Sequence, residues 1–268
     1  MEEEAKSLLK KLTKHEFVEL TSCGNKAIFA ALSSAKSLGS HSVLIPDQGG
    51  WLSYKTYPKR LGMDAQELAT NSGLIEPQNI PQKENAVLLY ANPAGYFADQ
   101  PIQTIYNRCG GKCLVILDVT GSLGDDRLCD GSYADILVGS FGKWKPVNLG
   151  YGGFISFKKK AVYEAAKQSL AKDRVDTAKI AGLGQKLMEV GQRQEKLCQT
   201  CDSIKQDLSR FDIIHPHHKG INVVVRFHHD KEKEEILRYC ERNKYEFTIC
   251  PRYIRVLEQA ISIEVKRI

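Results

Sequence analysis

The sequence has no long hydrophobic run and no secretory leader. No apolar stretch among its 268 residues approaches the roughly 20 residues that a membrane-spanning helix needs. The N-terminus, Met-Glu-Glu-Glu, lacks the basic and apolar regions of a secretory signal. We also find no internal repeat and no low-complexity tract. These absences argue against a membrane protein and predict a cytoplasmic one.

The sequence also contains only part of a metal-binding cysteine pattern. Cys198 and Cys201 form a CxxC pair without a second such pair, whereas zinc or an iron–sulfur cluster needs about four ligands. Only Cys240 and Cys250 could complete the set by folding onto it. We therefore predict no metal site, and we interpret the eight cysteines as reduced thiols. The turn at 215–218, which is rich in histidine, is interpreted as surface.

The composition is that of an ordinary globular protein, with 42% hydrophobic and 26% charged residues. The length permits one large domain with a smaller one, and a sizeable buried core. The net charge of +6 is modest and is spread along the chain, so nucleic-acid binding is not indicated. An anionic substrate is likewise allowed by this charge but not implied.

Apolar segments bounded by turn residues alternate with helical patterns over the first two thirds of the chain. Strands are predicted at 42–45, 86–90, 114–117, 136–138 and 153–157, with helices at 25–37 and 159–208. This alternation indicates an α/β fold whose mainly parallel, mixed sheet is flanked by helices. Ligands of such sheets bind where the strands end.

The C-terminal part of the chain, from about residue 206, shows a different pattern of strands and helices. It predicts strands at 221–227, 245–250 and 260–265 and a charged amphipathic helix at 231–243, which together make a small α+β unit. We therefore predict a large domain over 1–205 and a small C-terminal domain over 206–268. The arginines of the tail, Arg226, Arg252 and Arg255, are interpreted as exposed charges, with binding of a substrate carboxylate as the alternative.

The chemistry-bearing residues follow two of the predicted strands. Asp118 ends the apolar run at 114–117, and Lys143 and Lys145 precede a glycine-rich return, Gly150-Tyr151-Gly152-Gly153. A lysine that forms an imine with an aldehyde, and a carboxylate that keeps a pyridine nitrogen protonated, are what pyridoxal 5'-phosphate (PLP) needs from a protein. The pattern predicts Lys145 or Lys143 and Asp118 as catalytic residues.

Four segments of the chain match family motifs in the same order along the sequence. On these segments the chain resembles fold-type I PLP-dependent enzymes, and most closely the DegT/DnrJ/EryC1 sugar-aminotransferase group. Thr21-Ser22-Cys23-Gly24-Asn25-Lys26-Ala27-Ile28 is similar to the family's Ser-Gly-Thr-x-Ala-Leu. It places a glycine turn before a helix, where free N–H groups bind a phosphate. The resemblance implies that Gly24 and Asn25 hold the cofactor phosphate, with a helix N-cap as the plainer alternative.

Three further segments complete the resemblance. Trp51, after the strand at 42–45, matches the aromatic residue that stacks on the pyridine ring, with Tyr54 as the fallback. Asn92 resembles an asparagine that other fold-type I enzymes direct at the phenolic oxygen of the cofactor, although Asn-Pro is also a common turn. Ser140 is expected near the phosphate.

The lysine segment fits two patterns. Lys145 matches the sugar-aminotransferase spacing from Ser140 to the glycine-rich return, and it is favoured as the imine-forming residue. Lys143 fits a shorter Ser-x-x-Lys spacing and is otherwise a second phosphate or carboxylate ligand. One feature departs from the family: Gly121 stands where the sugar enzymes carry a polar residue.

The resemblance implies a PLP-dependent aminotransferase that acts on a small-molecule amino donor and a carbonyl acceptor, as a homodimer. Two alternatives stay open. Cys23 beside the predicted phosphate turn, with Cys109 and Cys113 before the Asp118 strand, would suit a sulfur-handling lyase or transferase of the cysteine desulfurase type. The short chain and the departures at Gly121 and Tyr151 would suit a degenerate, non-catalytic protein of the same fold.

Overall fold

The computed structural model describes residues 2–268 and contains two β-sheets. The first part of the chain forms β1 (Phe17–Thr21), β2 (Ser42–Pro46), β3 (Asp64–Leu68), β4 (Ala86–Ala91), β5 (Cys113–Asp118), β6 (Ile136–Ser140) and β7 (Gly153–Phe157). Its helices are α1 (Glu2–Thr13), α2 (Gly24–Ser37), α3 (Leu52–Arg60), α4 (Ile102–Cys109), α5 (Lys160–Leu170) and α6 (Leu183–Asp207). The tail forms β8 (Asp212–Ile213), β9 (Val223–Arg226), α7 (Asp230–Arg242), β10 (Phe247–Ile249) and β11 (Ala260–Ile263).

The large sheet is mixed and mostly parallel, as the sequence predicts. Its seven strands lie in the order β1-β7-β6-β5-β4-β2-β3. The strands from β3 to β6 pair in parallel, whereas β7 is antiparallel to both β6 and β1. The central strands are continuous apolar runs because helices cover both faces of the sheet.

Helix α2 packs on one face of this sheet through a row of small side chains that includes Ala27, Ala31 and Ala35, all fully buried. Helices α1 and α6 cover the other face with Leu9, Leu187 and their neighbours. Small side chains let α2 approach the strands closely. The N-terminus of α2 lies at the edge where β5 and β6 end, because Gly24 packs directly against Ser140.

The sequence predicts one helix over 159–208, and this is wrong: the segment forms α5 and α6 with a break between them. Within the break, the carboxylate of Asp173 accepts hydrogen bonds from the backbone N–H and the hydroxyl of Ser22, at 2.8 and 2.6 Å. Asp176 caps a short 3₁₀ turn by accepting from the N–H of Ala178. These side-chain bonds compete with continued helix.

The tail forms a four-stranded sheet in the order β10-β11-β9-β8, covered by α7 and by the C-terminal half of α6. Its three longer strands and its helix agree with the predicted segments to within a few residues. The division of the chain at residue 205 stays a prediction. Among residues 2–268, no helix combines the length and apolar character needed to cross a membrane.

Candidate functional site

A pocket opens where β5 and β6 end and α2 begins. This is the edge at which open α/β sheets bind their ligands. Twelve residues line it: Cys23, Gly24, Asn25, Ile28, Trp51, Tyr96, Asp118, Thr120, Val138, Gly139, Ser140 and Lys145. The lining combines one carboxylate, one amine, two large aromatic rings and a helix N-terminus.

Asp118 is the last residue of β5 and is 8% exposed. Its Oδ2 accepts a hydrogen bond from the hydroxyl of Tyr54 at 2.8 Å, and its Oδ1 accepts one from the backbone N–H of Thr120 at 2.9 Å. Burial, together with the negative charge of Asp118, raises the pKa of Tyr54 well above its ordinary value, so Tyr54 stays a donor. The carboxylate is thus fixed in orientation, with acceptor capacity left toward the pocket.

The N-terminus of α2 forms another wall of the pocket. Cys23 precedes it in extended conformation and makes no side-chain capping bond, so the first N–H groups of the helix stay available to a ligand. A Cβ added to Gly24 would lie 2.6 Å from the Cβ of Ser140, and only glycine permits this close approach. The hydroxyl of Ser140 accepts from the N–H of Gly142 at 3.2 Å. Such an arrangement suits an anion.

Lys145 reaches the pocket from the loop between β6 and β7. Its Nζ donates to the hydroxyl of Tyr96 at 2.8 Å and lies 5.4 Å from the ring centroid of Trp51. The preceding residue, Trp144, has a φ of +61° and turns the chain so that Lys145 is half-buried. Lys143 is exposed and does not line the pocket.

Trp51 lies just before α3, with its ring at the pocket. Its indole Nε1 donates to Oδ1 of Asn25 at 2.9 Å, which ties the aromatic wall to the start of α2. A large ring held in this way offers a face on which a planar ligand can stack.

Asn92 does not reach the pocket. It is 1% exposed, and its Nδ2 donates to the carbonyl of Leu128 at 2.7 Å while its Oδ1 accepts from the N–H of Gln100 at 2.9 Å. Both polar atoms of its amide are therefore used inside the fold, and its role here is to order the loops around it.

Of the eight site residues that the sequence predicts, the structure brings six to one pocket: Gly24, Asn25, Trp51, Asp118, Ser140 and Lys145. It leaves Asn92 and Lys143 outside.

Tyr96 and Thr120 line the pocket but are missed by the sequence analysis. Tyr96 explains the departure at Gly121, because a Cβ on Gly121 would lie 2.5 Å from Cδ1 of the Tyr96 ring. The space that a side chain at residue 121 would occupy is filled here by a residue from another loop. Gly121, where the sequence analysis expects a polar residue, is the feature of the sequence that points to a ring such as that of Tyr96 in this space.

The interpretation of Arg255 as an exposed charge is wrong. The side chain is buried and forms a bidentate pair with Glu264, at 2.9 Å from Nε and 2.7 Å from Nη2. Lys266 contacts the same carboxylate. Arg252 is exposed, and Arg226 is half-buried against Asp212.

The cysteines are free thiols. Cys23 is exposed at the mouth of the pocket, whereas Cys198 and Cys201 lie on α6, where burial raises the pKa of each. Among residues 2–268, no group of three or more His, Cys, Asp or Glu side chains is placed to hold a metal ion.

Comparison with known proteins identifies the fold. Residues 191–268 match the model of the MJ1341 family C-terminal domain, and no curated protein matches the sequence. Solved structures do match. Alanine–glyoxylate aminotransferase from Nostoc sp. is 14% identical, with a TM-score of 0.72 over 98% of this chain and 80% of the other.

Two further structures give the same result. NtdA from Bacillus subtilis with bound PMP is 14% identical, with a TM-score of 0.72 over 98% of this chain and 72% of the other. A serine palmitoyltransferase variant from S. paucimobilis with a bound PLP–myriocin aldimine is 13% identical, with a TM-score of 0.71 over 97% and 70%. At these identities the likeness shows the fold alone. The chain has the fold of the fold-type I PLP-dependent enzymes.

Proposed function

We propose that this chain binds PLP in the pocket and transfers an amino group between a small-molecule donor and a carbonyl acceptor. One observation supports the proposal above the others. The carboxylate of Asp118, at the end of β5, and the amine of Lys145, on the loop between β6 and β7, line one pocket together with the N-terminus of α2. The neighbours of the same fold include an aminotransferase and a protein with bound PMP.

The donor set of the pocket fits this cofactor. The N–H groups at the start of α2 and the hydroxyl of Ser140 suit its phosphate. Because residue 24 is glycine, no Cβ intrudes between the start of α2 and Ser140. Asp118, fixed by Tyr54 and by the backbone, suits the protonated ring nitrogen. Trp51 offers a stacking face.

When bound, PLP supplies an electron sink for the electrons released at the substrate α-carbon. The protein supplies the rest. Asp118 stabilises positive charge on the ring nitrogen, Trp51 orients the ring, and the amine of Lys145 takes and returns the proton of the α-carbon. Transfer of an amino group needs only this proton shuttle, whereas desulfuration needs an additional thiol or acid.

The finer assignments remain proposals. Membership of the DegT/DnrJ/EryC1 group, the homodimer, the cytoplasmic location and the domain boundary at residue 205 rest on the resemblance and on sequence patterns.

The test is a half-reaction. The chain is loaded with PLP and mixed with a panel of amino acids and amino sugars, and conversion to the pyridoxamine form is followed by absorbance. The wild type and Lys143→Ala are expected to convert with the same donor. Lys145→Ala is expected to be slower by about 10²-fold or more, the effect of losing a general acid–base group. Equal rates in wild type and Lys145→Ala would contradict the proposal.

A second candidate function rests on Cys23, whose thiol lies exposed at the pocket. A thiolate there would attack the sulfur atom of a bound thiol-containing amino acid, so that an S–S bond forms while the C–S bond of the substrate breaks and its electron pair stays on the substrate carbon, which takes up a proton. In this case alkylation of Cys23, or Cys23→Ser, would abolish turnover while cofactor binding persisted. Full transamination by Cys23→Ser would leave the aminotransferase as the better assignment. A chain that stays colourless with PLP would instead support the non-catalytic alternative.

A further inference from the structure

Tyr96 lies between the pocket and the second sheet. Its backbone adopts a φ of +73°, in the left-handed region, and its carbonyl accepts from the N–H groups of Ile221 and Asn222, at 2.8 and 3.0 Å. A tyrosine held in this uncommon conformation is fixed by its surroundings. Its hydroxyl accepts the hydrogen bond from Nζ of Lys145 at 2.8 Å.

Three basic side chains surround the ring of Tyr96, and burial lowers the pKa of one of them, Lys266, to about 5. Nζ of Lys145, the guanidinium of Arg255 and Nζ of Lys266 lie 4.8, 5.2 and 5.1 Å from its centroid. Arg255 and Lys266 are both buried and both contact Glu264, which is 1% exposed. The guanidinium of Arg255 attracts the ring at this range, and its buried ion pair with Glu264 keeps it in place. The ring is thereby held in one place.

Gly121 leaves the space that this ring occupies. A Cβ at residue 121 would lie 2.5 Å from Cδ1 and 2.9 Å from Cε1 of Tyr96, and 3.1 Å from Pro93. Real Cβ atoms do not come this close to other atoms, so any other residue at 121 displaces the ring. The observed position of the Tyr96 ring therefore requires glycine at residue 121.

A lysine side chain has several rotatable bonds and loses conformational entropy when it is held in one place. In this pocket the groups that hold the amine of Lys145 are the hydroxyl and ring of Tyr96 and the ring of Trp51. The hydroxyl is the one that makes a directional bond to the nitrogen.

We propose that Tyr96 is the residue that positions the amine of Lys145 whenever this amine is not bonded to the cofactor. It keeps the nitrogen in the pocket, from where it exchanges a proton with the substrate α-carbon. The inference rests on the proposed function. The ring of Tyr96 fills the space that a side chain at residue 121 would otherwise occupy.

The first test needs no cofactor. The full chain is treated briefly with a dilute amine-acylating reagent, and peptide mass spectrometry gives the ratio of labelling at Lys145 to labelling at Lys143. Lys143 is exposed and serves as the internal reference. Tyr96→Phe keeps the ring and removes the hydroxyl. We expect the ratio to rise by roughly three- to tenfold, the range that the net contribution of one hydrogen bond implies.

Tyr90→Phe is the matched control. Tyr90 is fully buried, and its hydroxyl has no hydrogen-bond partner among the residues that the structure describes. Its variant is expected to keep the wild-type ratio. An unchanged ratio in Tyr96→Phe would overturn the inference, because a purely structural tyrosine would keep its packing as phenylalanine.

Gly121→Ala provides an independent variant. It leaves the hydroxyl of Tyr96 in the sequence but forces the ring out of its place, so the ratio is expected to rise in the same direction. Circular dichroism confirms that each variant is folded. If Gly121→Ala does not fold, Tyr96→Phe alone decides.

The cofactor-loaded chain separates this inference from the proposed function. In Tyr96→Phe, borohydride is expected still to fix PLP on Lys145, while kcat falls by about tenfold or more and KM changes little. A wild type that fixes no cofactor on Lys145 would remove the proposed function. A wild type that does so, with Tyr96→Phe unchanged in both labelling ratio and kcat, would remove the role of Tyr96 alone.

Discussion

Replacing Tyr54 by phenylalanine removes the hydroxyl that fixes Asp118. Tyr54 is fully buried and Asp118 is 8% exposed, so water cannot easily replace the lost donor. The 2.8 Å bond to Oδ2 disappears, and the bond from the N–H of Thr120 to Oδ1 remains. The variant thus leaves one oxygen of a buried carboxylate without its protein partner.

The expected cost follows from the charge on the acceptor. A hydrogen bond to a charged group contributes about 1.5–3 kcal/mol, and we expect about 2 kcal/mol here because the second bond persists. For a chain of this length, this corresponds to a fall in Tm of roughly 4–8 °C. In an Asp118→Asn background the acceptor is neutral, so Tyr54→Phe is expected to cost about half as much.

The assay is urea unfolding, with Tyr90→Phe as the matched control. Tyr90 is an equally buried tyrosine whose hydroxyl makes no hydrogen bond within residues 2–268, so its removal is expected to cost less than about 0.5 kcal/mol. Equal stability of the two variants would refute the view that Tyr54 anchors the carboxylate. So would an identical cost of Tyr54→Phe in the wild-type and Asp118→Asn backgrounds.

Three further predictions follow from buried contacts. Gly24→Ala places a methyl group 2.6 Å from the Cβ of Ser140 and is expected to weaken PLP binding by at least about tenfold in a fluorescence titration. Gly182→Ala, whose added Cβ would lie 3.9 Å from its nearest neighbour, is the control and is expected to bind PLP as the wild type does. Glu264→Gln leaves the buried guanidinium of Arg255 without its charge partner and is expected to lower the unfolding free energy by about 3–5 kcal/mol in urea; a loss below about 1 kcal/mol would contradict this. Burial lowers the pKa of His15 below its ordinary 6.5, so the unfolded chain takes up this proton first and stability falls as the pH drops below 6.5. His15→Gln is therefore expected to show a smaller fall in Tm between about pH 7.5 and pH 5.5 than the wild type, and an equal fall would count against it.

The parts of the fold that the sequence predicts correctly are those with strong local signals. Strands β2, β4 and β5 are uninterrupted apolar runs, and such runs are typical of strands buried on both faces. Strand β3, with the sequence Asp-Ala-Gln-Glu-Leu, is missed because it is an exposed edge strand without an apolar run. The break between α5 and α6 is missed because the contact of Asp173 with Ser22 joins segments far apart in the chain.

The distinction between local sequence signals and contacts of distant segments also applies to the candidate site. Asp118 ends a strand and Lys145 follows one within a spaced motif, so the sequence is sufficient to predict that both lie at the pocket, whereas the choice of Lys145 over Lys143 as the imine-forming residue stays a prediction. Asn92 is selected equally well by its motif, but its amide turns inward to backbone groups that no local pattern specifies. Tyr96 is missed because its role depends on the space left by Gly121, which is 25 residues away in the chain.

The central claim is that Lys145 is the residue that binds PLP covalently. The most direct measurement is borohydride reduction of the chain with PLP, followed by peptide mass spectrometry. The account predicts one equivalent of the reduced cofactor on Lys145, and loss of that adduct in Lys145→Ala but not in Lys143→Ala. An adduct on Lys143 instead, or no adduct on either lysine, would contradict it.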